Sequence, residues 1–238
     1  ITTDKLPIEL PDDVPGQSDP HIDPLRGIQL PPNLRIVGTA NMDETTHTFS
    51  PKVLDRAFTI EFDDPDLTAF ASGQGESNGG SNTFDELAAI AIRESNAISV
   101  QEAYATSQDL FEHIALLLSE IQDILAPAGI KFGYRTRDAI LLYLHFWREL
   151  DLADILTGYA ALDFCILQKI LPKVAGSGEA LAEALTSLAT WLNARAETQE
   201  DADGVLAEFS GPLARSVQKV ERMTELLNLD GSTRYWGA

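Results

Sequence analysis

From Leu110 onward the apolar residues return at every third or fourth position, and that period restricts this part of the chain to helices. Leu110, Ile114, Leu117, Leu118, Ile121, Ile124 and Leu125 fall on one face, and Pro127 and Gly129 stop the run. The same spacing predicts a second helix over 136–150, with Ile140, Leu141, Leu144 and Trp147 facing inward. It predicts a third over 159–171, a fourth over 179–196 through Leu181, Leu185, Leu188 and Leu192, and a fifth over 212–227. Amphipathic segments with short connections bury their apolar stripes against one another, so a bundle is expected. No internal repeat or coiled-coil heptad is present.

Ahead of the bundle the pattern changes. Residues 1–32 carry Pro7, Pro11, Pro15, Pro20, Pro24, Pro31 and Pro32, which interrupt any helical period and imply an extended or looped approach. LRIVGTA (34–40) and TIEF (59–62) are short β-prone runs, and each implies a sheet whose other strands are not evident in the chain. Between them Ser50-Pro51 starts a short helix through Arg56, with Ser at the cap and Pro at the first helical position. DDPD (63–66) and ASGQGESNGGSN (71–82) have little to bury and read as a flexible linker. The expected fold class is therefore an α+β fragment, mainly α. Residues 1–66 carry the αβ part, 67–104 the linker and lead-in, and 105–238 the helical part.

Composition narrows the function classes. Seventeen basic against 37 acidic residues give a formal charge of −20 over 238 residues, which disfavours broad attraction to nucleic acid or anionic membranes. The lone cysteine, Cys165, lies in the apolar run LDFCILQKIL, so no disulfide framework exists and a reducing, cytoplasmic setting with an inert buried thiol is expected. No stretch is long and apolar enough for a membrane span, and the start of the chain has no secretory pattern. The absence of an initiator Met leads to the expectation of a processed or excised piece. His21, His47, His113 and His145 have no metal-ligand spacing and read as surface or core residues.

The stretch QLPPNLRIVGTANMDETTHTFSPKVLDRAFTIEF (29–62) carries the chemistry. An apolar run ends in Asn41, and a short helix ends in Arg56. In a nucleotide-hydrolysing machine an amide at a strand tip orients the attacking water, and an arginine one helix later reaches a neighbour's γ-phosphate. Such an engine also needs a G-x-x-x-x-G-K-[ST] loop and an acidic strand end for Mg²⁺, and neither occurs among these residues.

With PPNL, GTANMDETT and FSPKVLDRAF in 29–62, FGYRTRDAI (132–140), LQKILPK (167–173), SVQKVERM (216–223) and RYW (234–236), the chain resembles the AAA+ NTPases of the McrB type, the motor subunits of modification-dependent restriction systems. The resemblance covers the C-terminal half of such a motor: the last strands of the αβ core and the helical lid. It implies that Asn41 is sensor 1, positioning the lytic water. Arg56 would be the arginine finger, acting in trans on the next subunit, and Arg135 sensor 2, reaching the γ-phosphate of its own subunit. Arg137 is the rival for that last role.

Other readings of the same residues stay open. Asn41 also suits a strand-end cap, and Arg56 a surface pairing with Asp55. Asp43 and Glu44 would orient Asn41 or stand solvated in a loop, and Lys52 reads as solvated. Lys169, Lys173, Lys219 and Arg222 are expected on solvated helix faces. The resemblance further implies ATP or GTP with Mg²⁺ in a full-length parent, with none bound by this chain alone. Implied partners are the N-terminal half of its own AAA+ domain, further copies in a homo-oligomeric, hexameric ring and a McrC-like nuclease subunit. DNA would be contacted only indirectly. The contrasting expectation is a non-catalytic helical interaction module that keeps only the lid.

Overall fold

The structure, a computed structural model, describes residues 36–42, 49–62, 98–156, 160–197 and 213–236. Contacts divide the chain into two units, and nearly all described residues belong to the one spanning Asn41–Gly75 and Ser99–Ala238. Of the other, Ile1–Ala40 with Glu76–Ile98, only 36–40 and 98 are described. The proline-rich approach (1–32), the linker at 71–82 and Asp43, Glu44, His21 and His47 lie outside the described residues.

In chain order the elements are α1 (Pro51–Leu54), α2 (Val100–Thr106), α3 (Gln108–Leu125), α4 (Tyr134–Glu149), α5 (Leu152–Ile155) and α6 (Ala161–Cys165). A π turn (Ile166–Ile170) and a 3₁₀ turn (Leu171–Lys173) prolong α6, followed by β1 (Ala175–Ser177), α7 (Glu179–Glu197), α8 (Ala214–Asp230) and β2 (Ser232–Arg234). The expected helices form with their ends moved by a few residues, except that the third breaks into α, π and 3₁₀ turns. Pro172 contributes to that break, because its ring nitrogen has no hydrogen to give an α-helical bond.

Element boundaries follow local chemistry. α3 closes through the 3₁₀ turn Ala126–Ala128 onto Gly129, whose φ of 76° is the left-handed conformation that glycine adopts at least cost. Ile130 N–H then donates back to the Leu125 carbonyl at 3.3 Å. α2 was not expected. It begins with a capping box in which Ser99 Oγ accepts from Glu102 N–H (3.2 Å) while Ser99 N–H donates to the Glu102 carboxylate (2.7 Å). The amino end of α8 is capped from a distance: buried Asp163 on α6 accepts the backbone N–H groups of Arg215 (3.0 Å) and Ser216 (2.9 Å).

The core lies among α3, α4, the α6 extension, α7 and α8. Leu110, Ile114, Leu144, Ile170, Leu188 and Val220 are all 0% exposed there. Each such side chain contributes about 1.5–3 kcal/mol by leaving water. His145 is buried in this body, with Ser107 Oγ 2.9 Å from its Nδ1, and so is a satisfied core histidine. Cys165 is buried, and burial pushes its thiol pKa up, leaving an unreactive thiol.

Both strands expected in the amino-terminal part fail to form in the described residues. Residues 36–40 are exposed without strand pairing, and 59–62 run over the helical body, where Thr59 N–H donates to the Gln168 carbonyl at 3.2 Å. A strand needs a neighbour to complete its ladder, and none of the described residues supplies one to these runs. The sheet that does form among the described residues is the antiparallel pair β1/β2, with Gly176 opposite Thr233. No helix of the described residues is long and apolar enough to cross a membrane.

Candidate functional site

The motif-bearing segments, far apart in sequence, meet along one seam. Phe49 stands edge-on to Trp236 at 5.7 Å, and at the other end of the segment Glu61 pairs with Lys219 of α8 at 2.7 Å. Between them Asp55 accepts Lys173 Nζ at 2.5 Å and Thr136 Oγ1 at 3.4 Å. Thr59 Oγ1 donates to the Gln168 carbonyl at 2.9 Å. Segments recognised separately as FSPKVLDRAF, GYRTRD, LQKILPK, SVQKVERM and RYW thus form one structural unit. A cavity of ≈ 430 Å³ opens beside it, walled in part by Phe49, Leu54, Asp55, Lys173, Tyr235 and Trp236.

At the middle of the seam Lys169, 1% exposed and set in the π turn, donates to the carbonyls of Leu54 (3.3 Å), Asp55 (2.9 Å) and Ala57 (2.9 Å). The Phe58 ring lies 5.0 Å from the same ammonium. Burial, helped by the like charge of Lys173 and opposed by Asp55, pulls the Lys169 pKa down from 10.5 to about 8. Hydrogen bonding from Lys173 holds the Asp55 carboxyl below its ordinary value.

These contacts correct the expectation that Lys169, Lys173 and Lys219 stand on solvated faces. Lys169 and Lys219 are buried, and the side chain of Lys173 is 8% exposed. The sequence signal that would have found them is weak: each is followed by an apolar residue, Ile170, Val174 or Val220. Period alone cannot show that carbonyls and carboxylates wait on the other side.

The structure treats the expected site residues differently. Arg56 is exposed, and its Nη1 donates to the Lys52 carbonyl at 2.9 Å. Asp55, the pairing considered for it, is engaged by Lys173 instead. Arg135 is exposed in the first turn of α4 and makes no ion pair or hydrogen bond among the described residues. Its rival Arg137 is occupied, with Nε and Nη2 on Asp138 at 2.8 and 2.6 Å and its guanidinium 4.7 Å from the Tyr134 ring. The Asp55–Thr136 contact brings the chain neighbours Arg56 and Arg135 to the same seam. Asn41 is exposed, with no side-chain hydrogen bond among the described residues. Lys52 is exposed and Arg222 half-buried. No grouping of three or more His, Cys, Asp or Glu able to hold a metal occurs among the described residues.

Comparison with curated proteins found no match, nor did comparison with solved structures. A family model matches residues 86–232, which takes in the helical body from α2 to the start of β2 and leaves out Asn41, Arg56 and the closing RYW. That match spans more than half of the chain, which therefore belongs to the family described as Domain of unknown function (DUF8727).

Proposed function

We propose that the chain is the C-terminal part of a McrB-like AAA+ NTPase, which in full length couples nucleotide hydrolysis to translocation or remodelling of DNA alongside a restriction nuclease. The observation that carries this reading is the presentation of Arg56. Its backbone is gripped on both sides by a buried ammonium, while its guanidinium projects outward with one backbone partner. A finger that must reach a phosphate on another subunit needs a fixed base and donors still available on its fork, because the cost of ordering it is then met before the reaction begins.

In this reading Arg56 serves the neighbouring subunit's site and Arg135, the less encumbered arginine of its pair, serves its own. Asn41 orients water. The exposed guanidinium groups suit phosphate oxygens, being planar, permanently charged and able to donate twice. Mg²⁺ would neutralise charge on the transferred phosphoryl group, and its ligands belong to the N-terminal half of the domain together with the phosphate loop. The nucleotide is ATP or GTP, and the working form is a homo-oligomeric, hexameric ring. A second reading, a helical interaction module without catalysis, is favoured by one fact: the family match follows the helical body and omits Arg56.

Mixing two inactive variants of the full-length parent separates these readings. Arg56→Ala should leave nucleotide binding intact and lower hydrolysis by about a thousandfold. Combined with a phosphate-loop variant it should regain activity, since some interfaces then pair an intact loop with an intact arginine. A mixture that stays inert although mixed rings form removes the trans role. Wild-type hydrolysis by Arg56→Ala removes the finger altogether.

A further inference from the structure

An ammonium has three N–H donors, and on Lys169 all three are accounted for by the carbonyls of Leu54, Asp55 and Ala57. Two of these carbonyls belong to the residues immediately before and after Arg56. Drawing both toward a single buried point fixes the Asp55–Arg56 peptide plane and the Ala57–Phe58 plane beyond it, so that Arg56 lies between two anchored planes. The chain is also held from within, Arg56 N–H donating to the Val53 carbonyl at 2.9 Å and Ala57 N–H to the same oxygen at 3.0 Å. With its backbone turned inward, the Arg56 side chain has only the outward direction left, where it is exposed.

Packing alone does not call for this arrangement. Burying an ammonium is unfavourable unless every donor is met, and a leucine or methionine would fill the same space with less loss of hydration. Lys169 is nevertheless buried, in a turn whose Ile166 and Ile170 are buried as well. What a lysine supplies and a hydrocarbon does not is direction: it selects one backbone conformation at 54–57.

We propose, resting on the reading of Arg56 as a finger, that Lys169 is a positioning residue which sets how Arg56 is presented to the neighbouring subunit. The charged groups around the ammonium are Lys173 and Asp55, themselves paired, and the Glu61–Lys219 pair grips the same segment further along. Asp55 changes charge only in acid, its carboxyl being held below the ordinary value by Lys173. As the ammonium loses its proton above about pH 8, one of the three carbonyls is left facing a lone pair, and the grip on Arg56 loosens.

Stability runs the other way. The folded protein binds fewer protons than the unfolded chain between about 8 and 10.5, so this group's contribution to stability increases as pH rises through that window. A lysine that only held the fold together would not separate activity from stability.

The test uses the full-length parent and the Lys169→Met variant, with melting followed alongside. The variant should lose about a hundredfold in kcat, the scale of a misplaced catalytic group, with KM for the nucleotide little changed. Trypsin should cut after Arg56 at least about tenfold faster, because an unclasped backbone reaches the extended form that proteases need. Unmodified protein should show kcat falling from pH 7.5 to 9 while its melting temperature holds or rises, and Lys169→Met should lack that fall. A variant with near-normal kcat and unchanged cleavage after Arg56 overturns the proposal. Should Lys169→Met fail to fold, a flat kcat across the same pH range in the unmodified protein overturns it equally. Arg56→Ala, measured in parallel, keeps the two ideas apart. If it hydrolyses normally the finger reading has failed, and the tryptic result alone then decides whether Lys169 sets Arg56.

Discussion

In the helical body Leu110, Ile114 and Leu144 are entirely buried, and the helices carrying them meet through apolar side chains. In the segment 49–62 Leu54 alone is buried, and the polar attachments come from the ammonium groups of Lys169, Lys173 and Lys219 together with Thr59 and Thr136. Hydrophobic burial is strong and non-directional, so it stabilises the bundle while tolerating small shifts. Ammonium-to-carbonyl bonds add less net stability and far more geometry. The body therefore accounts for persistence of the fold, and the clasped segment for where Arg56 stands.

The largest expected effect strikes the body. Leu144→Ala should lower unfolding free energy by about 2–5 kcal/mol, since it leaves a cavity at a fully buried site. Urea denaturation measures this, and a loss below about 1 kcal/mol would break the contrast by showing that α4 is not central.

Asp163→Ala comes next, at about 2–3 kcal/mol, because two N–H groups at the start of α8 lose their acceptor. Asp163→Asn keeps one acceptor oxygen and should recover part of the loss. Equal damage from both variants would mean that charge, and not hydrogen bonding, matters there.

Ser99→Ala removes the capping box of α2 and should cost about 1 kcal/mol. Hydrogen exchange is expected to quicken in α2 and hardly elsewhere. A global change would make α2 part of the cooperative core.

The smallest effect belongs to the seam and is local. Lys173 lowers the Asp55 pKa, so the stabilisation from this pair is present above the ordinary carboxylate range and is lost as pH falls through the folded-state value below it. Amides of Asp55, Arg56 and Ala57 should lose protection in acid before the helical signal of the body changes, and Lys173→Met should abolish that step. Simultaneous loss in segment and body would erase the distinction between them.

Residues such as Ile114, Leu144 and Leu188 made the bundle legible, because a period of 3.6 is a property of neighbours in the chain and survives any tertiary arrangement. Pro127 and Gly129 marked a helix end for the same reason. The S-x-x-E box at Ser99 and Glu102 was equally local, yet α2 buries only Ala103, and so short a helix leaves little apolar period to notice. The runs 34–40 and 59–62 had the composition of strands, but a strand is a relation between two segments, and the described partners are absent. β1 and β2, three residues each, carry hardly any strand signature, and their pairing follows from where α8 ends at Gly231.

The sequence by itself thus determined the long amphipathic helices, their apolar faces and the presence of arginines in motif-like settings. Tertiary structure decided that Arg135 stands clear while Arg137 is tied to Asp138 and Tyr134. It also decided that three lysines expected in solvent turn inward to the seam. The bonds from Lys169 join residues 112 to 115 positions apart, and an ammonium's partner over that separation is set by how whole elements pack, which no local pattern encodes.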